Sequence, residues 1–260
     1  MPLVFSGAVT RLSSTWTPQR VISEVRVLTR QLGNEIVQDM NIRNHINVAV
    51  SNIAEMLNMA KHPHYGIVFK NSTIESGTTP PEIDLGAVFS GGPFDGLAGQ
   101  QVVWEITRIS TTQNLGGSPA VTRLHNVISQ PLDVILNLNG NTNIQTQYDM
   151  FWEHHGSRIL FYIPPVAQLG FAPTTFDIWA IRNPLLDDYT NTGLTTRIDL
   201  PDRYVRLLIL MVQKMVLEQA NQQSDPNLDA NISNLTQQIA NNIAQETQFI
   251  QATRVNKMNS

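Results

Sequence analysis

The sequence predicts an α+β protein: a discontinuous helical bundle formed by its N- and C-terminal helices, with a β-rich domain inserted between them. Three observations predict it. Apolar residues recur at helical spacing near the start of the chain and again after residue 200. Between those zones lie short apolar runs separated by turn residues, which is a strand pattern. The chain has 260 residues and is 42% hydrophobic, enough to fill such a core. The expected boundaries are an arm at 1–16, helical segments at 17–64 and 200–255, the β-rich insertion at 65–199 and a tail at 256–260.

The first helix starts at Thr17-Pro18, a capping hydroxyl followed by proline at the first helical position. Val21, Ile22, Val25, Leu28 and Leu32 follow at helical spacing, and Gly33-Asn34 is a stop signal. The second helix carries Ile42, Ile46, Ala49, Val50, Ile53, Leu57 and Ala60 on one face, and His62-Pro63 stops it. In the middle zone, GIVFK, VVWEITRI, TRLHNVI, LDVILNL, RILFYI and FDIWAIR read as strands. HHGSR, from His154 to Arg158, reads as a hairpin turn, and NLNGNTNIQ as a possible hairpin tip. SGGPFDGLAG (Ser90 to Gly99) and IPPVAQLGFAP (Ile163 to Pro173) read as loops.

DLPDRY then places Pro201 and Asp202 in a first helical turn, where missing donors and the helix dipole favour them. The helix that follows runs to about Gln222, and its segment RLLILMVQKMVLEQA is apolar nearly all round. The core of the bundle is expected from Val25, Leu28, Ile46, Val50, Ile53, Leu57, Leu207, Leu208, Met211 and Met215. SDPN breaks the chain before a last helix with a stripe at Leu228, Ile232, Leu235, Ile239, Ile243 and Ile250. That stripe is only roughly 80° wide, narrower than an ordinary core-facing helix.

Charged residues make up only 15% of the chain, against ~25% in typical soluble domains. Net charge is −4, and no basic block or Arg-rich arm is present, which argues against sequence-specific nucleic-acid binding. Cysteine is absent, so thiol catalysis, disulfides and Cys-type zinc sites are excluded. No apolar run reaches the ~18–20 residues that cross a bilayer, so no membrane partner is expected. Of the histidine clusters, Glu153-His154-His155 and His62-Pro63-His64, the first puts His154 and His155 on opposite faces of a strand, and neither has a metal-ligand motif or a carboxylate partner signalled by spacing, so both read as turn and loop histidines. No nucleophile elbow or phosphate-binding loop occurs. No catalytic residue, metal or cofactor is expected.

The last helix is unusual in another way. Between Leu228 and Val255 only Asp229, Glu246 and Arg254 carry charge, while Asn and Gln abound. An exposed helix normally uses charges for solubility. The expectation is therefore packing between copies of the protein, through Leu228, Ile232, Leu235, Ile239, Ile243, Phe249 and Ile250.

Two stretches resemble a known family. TPQRVISEVRVLTRQLGNEIVQDMNIRNHINVAVSNIAEMLN contains the pattern I-x-x-x-I-N-x-A-V at Ile42, Ile46, Asn47, Ala49 and Val50. WEHHGSRILFYIPP, TFDIWAIRNP and IDLPDRYVRLLILMVQKMVLEQAN supply a G-x-R-I-x-F hairpin, a strand leading to R-N-P, and an I-D-L-P-D-R-Y approach to an apolar helix. In order and spacing these resemble head–tail adaptor (connector) proteins of tailed bacteriophages, over roughly half the chain. Residues 66–145 match none of that pattern. The resemblance implies a non-catalytic virion protein at the head–tail interface, made in the bacterial host cytoplasm. It implies a homo-oligomeric ring, commonly twelve-fold, docked between the portal protein and a downstream tail or connector protein. Double-stranded DNA would pass through its lumen without sequence readout. The competing expectations are a carbohydrate-binding or depolymerising module that uses Trp104, Trp152 and Trp179, or another minor capsid or tail protein.

Overall fold

The structure is a computed structural model that describes residues 15–30, 37–60, 62–75, 78–85, 103–116, 121–140, 149–186, 197–220 and 226–258. From residue 244 the last helix is described by its backbone alone. The class is α+β. Among the described residues, six α-helices and seven strands fall into two compact units, one within 66–183 and the other joining 15–65 to 184–258.

The helical unit begins with α1 (Pro18–Leu28). Thr17 caps it, its hydroxyl accepting from the Arg20 N–H, and Pro18 takes the first turn. The helix stops at Leu28, before the expected Gly33-Asn34 signal, which lies outside the described residues. Thr29 ends it by donating its hydroxyl to the Val25 carbonyl at 2.8 Å. Leu28, expected in the core, is 48% exposed. Pro18, Ile22, Val25 and Thr29 fill the centre of the buried face, and Leu28 falls at its edge, about 60° round from Val25.

Helix α2 (Asp39–Met59) buries Ile42, Ile46, Ala49, Val50, Ile53, Ala54 and Leu57. Arg26 of α1 bonds Asp39 and donates to the Val37 carbonyl, which ties the start of α2 to α1. A 3-10 turn, Asp202–Tyr204, leads into α5 (Val205–Gln219). The sequence placed Asp202 in the first α-helical turn; instead its carboxylate accepts from the Thr15 N–H and hydroxyl. Helices α1, α2 and α5 contact one another, and α6 (Pro226–Met258) packs on α5.

The β unit is one seven-stranded sheet, ordered β1-β7-β3-β4-β5-β6-β2. The strands are β1 (Gly66–Thr73), β2 (Glu82–Asp84), β3 (Val103–Gly116), β4 (Val121–Ser129), β5 (Phe151–His155), β6 (Arg158–Tyr162) and β7 (Thr175–Arg182). All neighbours are antiparallel except β4 and β5, which pair in parallel at Ile128 and Ser129. A parallel pair needs a crossover connection, and α3 (Leu132–Gly140) lies within it. That segment is the expected strand LDVILNL, so the strand assignment is wrong. Pro131 accepts from the amides of Val134 and Ile135, which opens a helical turn. Ile135 then packs with Leu138, Leu160, Phe151 and Tyr162. Spacing of three is helical, but a short apolar run reads equally well as a strand.

The HHGSR turn joins β5 to β6, with Gly156 at φ +65°, a left-handed conformation that suits glycine. IPPVAQLGFAP is not wholly loop: α4 (Val166–Leu169) makes one turn and ends at Gly170. NLNGNTNIQ is helical as far as Gly140, and its remainder and SGGPFDGLAG lie outside the described residues.

Candidate interaction surface

Within the helical unit, α5 is the central element. Of its fifteen residues only Arg206, Glu218 and Gln219 are exposed. Leu207, Leu208, Val212 and Val216 are buried, while Met211 and Met215 are half-buried on a second flank. A helix with α1 and α2 on some sides and α6 on another has almost no solvent face left. That explains a sequence that is apolar nearly all round. Of the other expected core residues, Val25, Ile46, Val50, Ile53 and Leu57 are buried.

A buried polar cluster fixes the start of α5. The Asp199 carboxylate is wholly buried and accepts from the Leu185 N–H at 2.8 Å, with the His64 Nε2 at 3.3 Å. Tyr65 donates its hydroxyl to the Asp199 carbonyl at 2.9 Å. The His62 Nδ1 faces the His64 N–H at 3.2 Å, while its Nε2 faces the Arg203 guanidinium. A neutral imidazole accepts on one nitrogen only, so one of these two contacts is not a hydrogen bond. The cluster joins residues 62–65 to 185 and 199–203, a connection that the sequence does not show. Three of its five contacts join residues more than a hundred positions apart, so no spacing could announce it. IDLPDRY marked only the helix start.

The last helix differs from α5. Leu228, Ile239 and Ile243 are buried, and Ile232 and Leu235 are half-buried. This corrects the expectation for Leu228, Ile239 and Ile243, which are covered by their own chain and do not face another copy. The apolar flank of α5 is already held close, so covering it costs none of the rigid-body entropy of association. The side chains of Phe249 and Ile250 lie outside the described residues. Lys214 of α5 bonds Asp229 of α6 at 2.8 Å. That bond and the Asp229 charge raise the Lys214 pKa.

What α6 leaves outward is its amide face. Twelve of the eighteen residues from Pro226 to Ile243 are exposed, and Asp229 alone of them is charged. Asn231, Asn234, Gln237, Gln238, Asn241 and Asn242 are among them. The helix is also long: 33 residues span about 50 Å at 1.5 Å per residue, whereas α5 spans about 22 Å. So α6 outruns the helix on which it packs.

In the β unit, Trp152 is 7% exposed and belongs to the core, so it is not available as part of a sugar platform. Trp104 is exposed, and Trp179 is covered by the Arg108 guanidinium at 4.9 Å, itself held by the Asn126 side-chain oxygen. Burial, as the main cause, lowers the His154 pKa, and His155 is exposed. The two point to opposite faces of β5. Among the described residues no group of three His, Asp or Glu is placed to hold a metal ion. Nor is any helix there long and apolar enough to cross a membrane. Charge divides unevenly: residues 66–183 hold five Lys or Arg and nine Asp or Glu, and the rest of the chain holds twelve of each. No protein-family model matches the chain, and no curated protein matches it.

Proposed function

We propose that this protein is a structural component of a tailed-phage virion that forms a homo-oligomeric ring below the portal protein. The ring joins the head to a downstream tail or connector protein and encloses the DNA passage, with twelve-fold symmetry as the expected count. In this reading 17–64 and 200–255 are one discontinuous helical bundle that builds the ring body, and the β-rich part is its insertion. The role is architectural and not catalytic.

The observation that carries the reading is α6: a helix of 33 residues whose outward face, from Pro226 to Ile243, is almost free of charge. Such a face can be covered by a protein that hydrogen-bonds its amides without the larger cost of taking unpaired ions out of water. The charge distribution fits the second half of the reading. A chain of net charge −4 does not grip phosphates, so DNA can slide past without being held. The sequence stretches around Ile42–Val50 and 198–204 supply the link to connectors.

Negative-stain images of the purified protein, alone and mixed with a portal ring, test the proposal. Rings of one diameter, free or seated on the portal, are the expected result. A protein that stays monomeric by light scattering and leaves the portal undecorated would overturn it.

A further inference from the structure

The helical unit presents a second outward face of the same character as that of α6. On α2 the exposed positions are Met40, Asn44, Val48, Asn52, Glu55 and Met59. At 100° per residue they fall on a single stripe roughly 120° wide. Met40, Val48 and Met59 are 47%, 50% and 70% exposed, and Glu55 is the one charge. The opposite face of α2 is buried against its own unit, so this stripe looks outward.

We infer that the α2 stripe of one subunit receives the amide face of α6 from the next, and that this head-to-tail contact closes the ring. The inference rests on the proposed ring and names its two surfaces. Three observations converge on a second copy as the occupant. First, a closed ring needs two different patches on each subunit. This unit has two, one on α2 and one on α6, both turned away from the shared α5. Second, the patches match in charge. Among the described residues each exposes one charged group, a carboxylate, and that of Asp229 is already paired with Lys214. DNA or a strongly charged protein finds little counter-charge on either, whereas Asn44, Asn52 and Glu55 of the α2 stripe can hydrogen-bond the amides of α6 and its methionines can be buried beside them. Third, α6 extends beyond α5, so part of its length is placed to reach a neighbour. Asn is moreover a poor helix former. Its repeated use on an exposed helix face works against the isolated fold, which points to hydrogen bonding outside the chain.

The absence of cysteine makes the test direct. Asn52→Cys and Gln238→Cys are introduced into the full chain, singly and together, at exposed positions, and each protein is checked by circular dichroism. A short bis-maleimide is then added, with the portal present if the chain is monomeric alone. The double variant should give a ladder of covalent oligomers running to the ring size, and each single variant none. Dimers from Gln238→Cys alone would mean that α6 packs on α6. Cross-links from position 238 to the portal would make the portal its occupant. An oligomer by light scattering with no 52–238 ladder overturns this contact and leaves the ring standing. A monomer with and without portal overturns both.

Discussion

Helices α5 and α6 follow one another in the chain, pack on each other and meet opposite fates. In α5 three residues of fifteen are exposed; in α6 twelve of the eighteen whose side chains are described. Neither is rich in charge. The difference is the number of neighbours. Three helices cover α5, so its sequence is apolar on nearly every side. Among the described residues α5 is the main neighbour of α6, so from Pro226 to Ile243 one narrow stripe is apolar and most of the rest is amide or small. The width of an apolar stripe reports how many partners a helix has inside its own chain. The absence of charge opposite that stripe points to partners outside it.

The contrast breaks first at the centre of α5. Leu208 is fully buried, so Leu208→Ala should cost about 2–5 kcal/mol, the range for a buried leucine that leaves a cavity. Chemical denaturation with tryptophan fluorescence and circular dichroism reads this directly. Ile239→Ala on α6 should cost less, about 2 kcal/mol, because a site covered from one side relaxes or admits water more readily. If the two losses are equal, α6 is as deeply embedded as α5 and the contrast is unsound.

How much of this was legible beforehand follows the same logic. The Thr17-Pro18 cap, the α2 face from Ile42 to Leu57 and the Gly156 turn were readable, because each is local and periodic. LDVILNL was misread because seven apolar-rich residues satisfy both periods; only contact with Phe151 and Tyr162 decides for helix. Leu28 was misplaced because Thr29, a polar residue, occupies the centre of the buried face after bonding the Val25 carbonyl. In the α6 stripe, Leu228, Ile239 and Ile243 are covered by their own chain and not by another copy. Periodicity gives the face that is covered, and it is silent on whose surface covers it. The pieces of the Asp199 cluster, His62-Pro63-His64 and IDLPDRY, are visible in the sequence, but nothing there joins them, since they meet only after folding.

A smaller effect is expected at the joint between the two helices. Asp229 raises the Lys214 pKa, and a raised pKa in the folded state stabilises the fold while lysine is charged. That contribution is fully present below the ordinary lysine value of about 10.4 and is lost as pH rises through the higher folded value. Thermal unfolding should therefore show no contribution from this pair to pH dependence between pH 7 and 9. Asp229→Asn should lower the melting temperature slightly and remove the part of the alkaline loss due to the pair. A drop as large as that from Ile239→Ala would mean that charge, and not the apolar stripe, holds α6 in place.

The smallest effect on the fold, and the sharpest on the contrast, belongs to the amide face. Asn231, Asn234, Asn241 and Asn242 are exposed, and each costs roughly 0.5–0.7 kcal/mol of helix propensity relative to alanine. Changing all four to alanine should leave the melting temperature of the isolated chain unchanged or raise it, because no packing is lost and helix propensity is gained. Assembly should weaken at the same time, since the hydrogen-bonding groups offered to a neighbour are gone. Light scattering across a concentration series measures the second outcome and calorimetry of the dilute protein the first. A fall in melting temperature would show that the amides bond within the chain. The low charge of α6 would then be an intramolecular feature like that of α5, and the two helices would differ only in degree.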